Sequence, residues 1–442
     1  MDRRDFLKLT SCAGMSLMAP AAFAGRDLSA GRVGMHAEAH TGQFFMLFNA
    51  GGGWDPTSFC DPKGSNGPND PDPMNHYEKS MIGQAGNLRF PMEFPDPNNP
   101  DVGVGTGVIP AFFEEHYQDL LVINGIDMET NGHDQGSRNL WSGRLSEGHP
   151  TMGAYLAGTY NSALPMSFLA FGGFSYTAGV APQSRASNID ALETLAYPTR
   201  ASAGDENSTY LSSRALELVE EAQWHRDQAL MAGQGLPKIN HSMSTLFESR
   251  SGSSELKRLT EYLPPREERS GGLRGQVEVA IAAYRAGISV AANISAGGFD
   301  THGDHDARQI PSLENLLDAM SYARQLSQEF GIGDKVTLMA GSDFGRTPGY
   351  NDGNGKDHWS ISSMIMMGGD IQGNRVIGKT TEGHRAYGIN TDLSVDERED
   401  APLKIKPSHI HSAIRNRYAL GADNELAQMF PLDNTEELPI FG

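Results

Sequence analysis

The sequence predicts a doubly wound α/β fold built on a mostly parallel sheet. Short apolar runs that end in glycine or a polar residue alternate with longer stretches of helical periodicity. Strands that alternate with helices are typical of α/β proteins with a parallel sheet. The hydrophobic content of 38% is also sufficient for a packed core. We therefore expect one α/β domain over residues 25–442 with long loop insertions.

The apolar runs are the predicted strands. Each is short and apolar on both faces, as buried parallel strands are. They are Phe44–Phe48, Leu120–Ile123, Phe168–Phe171, Ile288–Ile294, Val336–Ala340 and Met364–Met367. Helical periodicity predicts helices near residues 108–117, 209–232, 272–287, 312–329 and 408–419. Because proline is favoured at the first position of a helix, we expect the fourth helix to begin at Pro311 and Ser312.

Three polar segments are predicted insertions, near residues 56–105, 183–207 and 234–271. The first is rich in Pro, Asn, Asp and Gly and is too long for a simple connection between strands. We expect it to form an excursion or lid beside the first strand.

The N-terminus has the features of an export signal. The pair Arg3-Arg4 is followed by Phe-Leu-Lys, then by a weakly apolar run and by Ala22-Phe23-Ala24. This order is typical of a twin-arginine signal peptide over residues 1–24. We expect the twin-arginine translocase to export the folded chain to the periplasm or the cell exterior. Since Cys12 lies in the signal, Cys60 has no partner for an internal disulfide.

Charge and hydropathy exclude two classes of partner. The chain has 35 Lys and Arg against 55 Asp and Glu, a formal net charge of −20 at pH 7. This balance argues against nucleic acid or an anionic membrane surface as the main partner. After the N-terminus, no apolar stretch reaches the roughly 20 residues of a membrane-spanning helix, so the mature chain should contain no membrane span.

Acidic and imidazole side chains follow the predicted strands. In α/β sheets, ligands bind beyond the carboxyl ends of the strands, so these side chains should converge at one edge. Carboxylates and imidazoles together suit Zn²⁺, Mn²⁺ or a similar divalent ion. Without a cation, so many carboxylates would repel one another. The candidate ligands are Asp55, His133, Asp300, His302, His305, Asp343 and His358.

Each candidate ligand, taken singly, also has an ordinary structural interpretation. One Asp at a strand end is more often a helix cap or a turn residue, and one loop His is usually solvated or hydrogen-bonded. The segment 300–305, in which one Asp stands near two His residues, is the stronger indication of a metal site.

Three motifs and the leader carry a resemblance to a known family. The motifs are Phe299-Asp300-Thr301-His302, the segment 343–348 (Asp-Phe-Gly-Arg-Thr-Pro) and Asp357-His358-Trp359. Together they resemble the exported proteins catalogued as domain of unknown function 1501. That family is placed in the alkaline phosphatase and sulfatase superfamily. The resemblance covers nearly the whole mature chain and implies the same α/β fold.

The resemblance also implies two metal ions at the strand ends. Asp55 would match the Asp after the first strand, Asp300 with His302 or His305 the second ligand element, Asp343 the third and His358 the last. The sequence departs from the superfamily's ligand pattern in two ways. Phe344 occupies a position where the superfamily usually has His, so one site would be empty, oxygen-rich or filled by a harder ion such as Ca²⁺, Mg²⁺ or Mn²⁺. The spacing from Asp300 to His305 is five residues, whereas the superfamily element has four. It therefore stays open whether His302 or His305 binds.

The superfamily's nucleophile is a Ser, Thr or formylglycine at a helix N-terminus, where free N–H groups stabilise an anion. By position after the second strand, Thr130 and Ser137 are the candidates, although Ser137 also suits a plain helix cap. Arg346 would either hold a phosphate or sulfate oxygen in a bidentate manner or fix the turn at Gly345 through an ion pair.

The sequence thus predicts an exported, metal-dependent hydrolase-like protein for phosphate or sulfate esters, either small molecules or glycan-linked. Its alternative is a catalytically inactive superfamily member that serves as a binding or assembly protein of the cell envelope. The metal content separates the two, because two ions favour an enzyme and one favours a structural site.

Overall fold

The computed structural model describes residues 38–441 except 68, 97–98, 186–188, 198, 203, 234–252, 399–400, 420–423, 435 and 437. The predicted export signal, residues 1–24, therefore lies outside the described residues. Among the helices of the described part, none is both long and apolar enough to cross a membrane.

An eight-stranded sheet lies at the centre of the protein. In chain order its strands are β1 (Phe44–Ala50), β2 (Leu120–Asp127), β3 (Phe168–Ala170), β4 (Gln183–Arg185), β5 (Ala291–Ala296), β6 (Val336–Ser342), β7 (Ile361–Gly368) and β8 (Arg375–Ile377). The spatial order is β8-β2-β7-β6-β1-β5-β3-β4. Every strand predicted from the sequence is confirmed, and the short edge strands β4 and β8 are additional.

The sheet is mostly parallel, as predicted, with one exception. Strand β1 runs parallel to β5 and β6, while β7 runs antiparallel to both β6 and β2. The prediction of a parallel strand near Met364–Met367 was therefore wrong in direction. A parallel neighbour needs a crossover, usually through a helix. The chain between β6 and β7 instead forms the short antiparallel pair Gly345–Arg346 and His358–Trp359 and turns back.

Helices alternate with these strands along the chain. They are α1 (Val108–His116), α2 (His133–Ser142), α3 (Met152–Asn161), α4 (Ile189–Ala196), α5 (Ser213–Ala232), α6 (Ser253–Tyr262), α7 (Gly272–Arg285), α8 (His305–Glu329), α9 (Pro407–Tyr418) and α10 (Glu425–Met429). The five predicted helices correspond to α1, α5, α7, α8 and α9. Helices α2, α3, α4, α6 and α10 were not predicted.

Helix α8 begins earlier than its sequence suggests. We expected it to start at Pro311, but it starts at His305 and contains Pro311 in its interior. Contacts from other segments fix its first turn, because His305 bonds to Asp55 and Asp306 bonds to His76. These tertiary contacts compensate for the backbone hydrogen bond that proline cannot donate.

The remaining regular structure is short. Three-residue 3-10 helices span Pro56–Ser58, Lys79–Met81 and Arg266–Glu268. Two-stranded sheets pair Ile82–Ala85 with Leu88–Pro91, Pro95–Asp96 with Asn99–Gly103, and Gly388–Ile389 with Val395–Asp396.

Two hydrophobic clusters lie on the two faces of the sheet, and β1 contributes to both. Phe44, Met46 and Phe48 are buried in one cluster, and Phe45 and Leu47 are buried in the other. Because successive strand residues point to opposite faces, a strand buried on both faces needs an unbroken apolar run. The core thereby holds the carboxyl ends of β1, β5 and β6 at one edge.

We expect His411 of helix α9 to make the protein less stable in acid. The ring is buried, and its Nε2 donates to the carbonyl of Leu140 at 2.8 Å. Burial, followed by the charge of Arg415, lowers the pKa of His411 to about 3 from its ordinary 6.5. Between these two values the unfolded chain binds more protons, so the free energy of unfolding falls as the pH decreases. The limiting slope is about 1.4 kcal/mol per pH unit.

Urea denaturation at pH 7, 6 and 5 measures this effect against a His411→Gln variant. Glutamine keeps an N–H donor for Leu140 but does not titrate, so its stability should fall less steeply with decreasing pH. Equal slopes for the two proteins would show that His411 is not the group responsible.

Candidate metal centre

Four of the predicted ligands meet at the carboxyl edge of the sheet. Asp300 and His302 follow β5, His358 lies in the hairpin after β6, and His133 is the first residue of helix α2 after β2. Ligand atoms of His133, Asp300 and His358 all lie within 4.8 Å of one another. His302 joins them through its Nε2. We call these four side chains the metal centre.

Four distances between ligand atoms are short enough for neighbouring groups to share one ion. His302 Nε2 lies 2.9 Å from His358 Nε2 and 3.1 Å from Asp300 Oδ1. Asp300 Oδ1 lies 3.4 Å from His358 Nε2, and its Oδ2 lies 3.7 Å from His133 Nε2. Zinc ligands at about 2.0–2.1 Å from the ion in a tetrahedron are separated by about 3.3 Å. The observed distances lie on either side of that value.

The tautomers of the three imidazoles follow from their other ring nitrogens. Each Nδ1 faces a group that can only accept: His133 faces Asp343 Oδ2 at 2.6 Å, His302 faces Asp357 Oδ1 at 2.8 Å, and His358 faces the carbonyl of Asn131 at 2.8 Å. In a neutral imidazole, Nδ1 therefore carries the proton and Nε2 carries a lone pair. Ligand atoms of His133, Asp300 and His358 thus lie close together, and the Nε2 atom of His302 lies next to those of His358 and Asp300.

This arrangement fits a divalent cation. The lone pairs of His302 and His358 would repel each other at their observed separation unless a positive charge lies between them. Metal-binding histidines almost always donate their second ring N–H to a carboxylate or a carbonyl, as all three do here. A donor set of three nitrogens and one oxygen suits zinc.

The metal centre is open to solvent. The exposed fractions of the side chains are 41% for His133, 51% for Asp300, 47% for His302 and 23% for His358. Structural zinc sites are closed, whereas catalytic sites keep a position for water or substrate. The exposure therefore leaves the four side chains accessible to water or a substrate, which would be the fifth ligand of an ion that all four hold.

Arg346 lies beneath the centre and is fully buried. Its Nη2 donates to Asp300 Oδ1 at 2.8 Å, which links the guanidinium to a ligand. Its other hydrogen bonds go to the backbone carbonyls of Gly52, Gly53, Phe299 and Lys356. Because its N–H donors bond inside the protein, Arg346 holds Asp300 and three loops in place. Its guanidinium does not offer a pair of free N–H groups to a ligand from solvent.

Asp300 is ionised at neutral pH. Partial burial alone would raise its pKa, but the hydrogen bond and charge of Arg346 outweigh it, with smaller contributions from His358 and His302. The net pKa of Asp300 is lower than that of an ordinary aspartate. It therefore remains available as an anionic ligand over the physiological range.

Asp343 and Phe344 support the centre from the end of β6. The Oδ1 atom of Asp343 accepts from the N–H of Gly52 at 3.0 Å, while its Oδ2 fixes the ring of His133. The Phe344 ring packs against the imidazoles of His133 and His358, with centroids 4.8 Å and 4.2 Å away. Asp343 thus contacts His133 and is not one of the four side chains of the centre, and Phe344 supplies an apolar contact.

Asp55 and His305 form a separate buried cluster. Asp55 accepts from Lys356 Nζ at 2.7 Å and lies 3.1 Å from His305 Nε2. Burial would raise the pKa of Asp55, but the charge of Lys356 and then the contact with His305 hold it well below its usual range. Burial lowers the pKa of His305. The structure therefore pairs Asp55 with an ammonium and does not bring it into the metal centre.

The candidate nucleophiles lie on the loop and helix after β2, on either side of His133 in the chain. The hydroxyl of Thr130 accepts from the N–H of Gly132 at 3.1 Å. Ser137 is the fifth residue of α2, which places it beyond the free N–H groups of the first turn. Neither side chain caps the helix, because the N-cap position is Gly132.

Sequence reasoning did not identify three supporting residues, namely Lys356, Asp357 and Asn131. Asp357 stands next to His358 in one of the recognised motifs, so its acidic side chain was a detectable signal. Asn131 acts through its backbone carbonyl, for which side-chain identity gives no signal.

We expect Gly136→Ala in helix α2 to destabilise the protein and to weaken metal binding. A Cβ at this position would lie 2.1 Å from the backbone oxygen of Asp343, so the helix would have to move. Overpacking of this kind costs about 1–3 kcal/mol. Movement of α2 would also displace His133, its first residue. Thermal unfolding and zinc titration measure the two effects.

Gly233→Ala is the matched control, since a Cβ there would lie 3.5 Å from the backbone oxygen of Ala229, an ordinary van der Waals distance. It should change neither quantity. A Gly136→Ala protein as stable as the wild type would contradict the close contact between α2 and Asp343.

Fold and site together define an α/β protein with a candidate centre for one divalent ion at the strand ends. Residues 44–392 match the model of a family described as protein of unknown function DUF1501. The chain belongs to this family. No curated protein matches it.

Several solved structures are weakly similar. Ps i-CgsB, solved in complex with k-i-k-neocarrahexaose, is 8% identical, with a TM-score of 0.39 and coverage of 90% of this chain and 76% of that one. The alkaline phosphatase from the Antarctic bacterium TAB5 is 11% identical, with a TM-score of 0.30 and coverage of 75% and 92%. The phosphonate monoester hydrolase of Agrobacterium radiobacter is 10% identical, with a TM-score of 0.31 and coverage of 89% and 78%.

Proposed function

We propose that the protein is an exported metal-dependent hydrolase of phosphate or sulfate esters. One divalent ion, zinc by the chemistry of the donors, would bind to His133, Asp300, His302 and His358. The observation that carries this proposal is the convergence of three imidazole lone pairs and a carboxylate in a site open to solvent.

When bound, the ion would polarise an ester oxygen and lower the pKa of a water molecule. The chain's own residues prepare the site for that chemistry. Asp343 and Asp357 keep the Nδ1 protons of His133 and His302 and so hold both rings in the binding tautomer. Arg346 orients Asp300, and Phe344 excludes water from one side of two imidazoles.

The proposal includes export through the twin-arginine translocase to the periplasm or the cell exterior, supported by the Arg3-Arg4 pattern and the motif after it. The substrate would be a small-molecule or glycan-linked anionic ester. Thr130 and Ser137 remain the candidates for a protein nucleophile, with water as the alternative.

A second candidate function is that of a non-catalytic binding or assembly protein of the cell envelope. Its support is the position of Ser137, which lies past the first turn of α2, and the replacement of a nitrogen donor by Phe344. In this case the ion would only stabilise the loops.

The described residues form one candidate ion site, so the number of bound ions no longer separates the two functions. Turnover by purified protein of known metal content separates them. We expect one equivalent of zinc and turnover of p-nitrophenyl phosphate or p-nitrophenyl sulfate. Chelator treatment should abolish the turnover, and added zinc should restore it; Mn²⁺, Mg²⁺ and Ca²⁺ serve as comparison ions. Inert protein with one bound zinc would favour the binding protein. Protein that binds no divalent ion would contradict both.

A further inference from the structure

Lys356 is a buried cation that the chemistry of the metal centre does not use. Its side chain is fully buried, and its Nζ donates to Asp55 Oδ2 at 2.7 Å and to Asn75 Oδ1 at 2.9 Å. The ammonium also lies 4.9 Å from the centroid of the Tyr350 ring. Burying an unpaired ammonium is strongly unfavourable, so this one depends on Asp55 for its charge partner.

The ion pair connects the segments that carry the ligands. Lys356 directly precedes Asp357 and His358, and its backbone N–H donates to the carbonyl of Thr301 at 3.1 Å. Thr301 stands between Asp300 and His302. Its hydroxyl lies 2.7 Å from His305 Nδ1, and His305 Nε2 contacts Asp55. A closed set of contacts therefore joins residue 55, segment 300–305 and segment 356–358.

The two ligand segments also pack directly on each other. A Cβ at Gly355 would lie 2.0 Å from the backbone carbon of His302, so the segments approach as closely as glycine permits. Asn351 donates to the carbonyl of His302 at 3.1 Å. Lys356 anchors this contact from inside the protein, where its ammonium is shielded from solvent and from salt.

We propose that Lys356 is a positioning residue for the metal centre. Its ammonium is the permanent counter-cation of Asp55 and holds the loops of His302 and His358 in the geometry that the ion requires. The same ammonium already neutralises Asp55, so among the described residues we expect one divalent ion, held at the metal centre. This inference rests on the metal site of the proposed function.

A double-variant experiment tests the role of Lys356. In Lys356→Met, Asp55 is left buried without its counter-cation, and we expect both stability and zinc affinity to fall. The variant Asp55→Asn/Lys356→Met removes both charges and should regain stability, because no unpaired charge is buried. Its zinc affinity should remain about 10–100-fold weaker than that of the wild type, as for other residues that orient metal ligands.

Zinc dissociation constants are measured by competition with a chromogenic chelator on metal-free protein whose fold is verified by circular dichroism. Lys379→Met, which removes an exposed partner of Glu397, is the control and should bind zinc like the wild type. A folded double variant with wild-type affinity would overturn the proposal, and so would a second equivalent of zinc in the wild type. Wild type that binds one zinc tightly but cleaves neither ester would contradict only the hydrolase, since the affinity ratio still decides the role of Lys356.

Discussion

Replacing Asp300 with alanine is expected to weaken zinc binding more than about 100-fold and to abolish ester hydrolysis. Changes to residues that merely orient ligands cost about 10–100-fold in metal affinity, and the loss of a ligand exceeds this. Asp300 is also the one anionic ligand, and it contacts His302 and His358 through the same Oδ1 atom. Zinc titration of the metal-free protein and turnover of p-nitrophenyl esters measure both effects.

The zinc affinities of two further variants serve as comparisons for Asp300→Ala. Asp357→Ala removes the acceptor of His302 Nδ1 and should cost about 10–100-fold in zinc affinity. Asp352→Asn removes an exposed charge from the same loop and should have no effect. If Asp300→Ala bound zinc no more weakly than Asp357→Ala, Asp300 would have to be removed from the ligand set.

Replacing Arg346 with methionine should destabilise the fold by about 3–5 kcal/mol, as for other buried charge networks that lose one partner. The guanidinium accounts for hydrogen bonds to four backbone carbonyls and to Asp300. Without it the four buried carbonyl oxygens lose their donors, and a buried acceptor without a partner costs about 1–3 kcal/mol. Guanidinium denaturation followed by tryptophan fluorescence measures the change in the free energy of unfolding.

Arg274→Met is the matched control. Arg274 also contacts a carboxylate, that of Asp318, but both side chains are exposed. Surface ion pairs contribute about 0–1 kcal/mol, so the control should stay within that range. A similar small loss for Arg346→Met would mean that the loops around Gly52 and Phe299 keep their structure without the guanidinium.

The sheet was predictable from the sequence because buried strands require unbroken apolar runs. The runs that begin at Phe44 and Val336 are examples, and each ends in polar residues that stand at the carboxyl edge. Strand direction was not predictable for β7, since an apolar run looks the same in either orientation. The start of α8 was also missed, because contacts of His305 and Asp306 outweigh the local preference of Pro311.

The candidate site was predictable as a set of donors but not as a geometry. His133, Asp300, His302 and His358 were identified by their positions after strands, and the structure brings them together. Asp55 met the same criterion.

Asp55 differs from the four residues of the metal centre because its carboxylate faces the ammonium of Lys356, which lies 301 residues away in the chain. Spacing along the sequence gives no information about such a partner. For the same reason the sequence could not show that the guanidinium of Arg346 is turned inward.

The reversed direction of β7 has a consequence for how this protein can vary. Since the chain returns along the sheet instead of crossing behind it, residues 347–354 form an exposed or half-buried loop near the strand ends. Substitutions or insertions at the exposed positions of this loop would change the surroundings of the candidate metal centre, whereas Arg346 and Lys356 on either side of it belong to the interior. Variants of this protein with a changed loop would keep the same scaffold and differ in the molecules that can reach the strand ends.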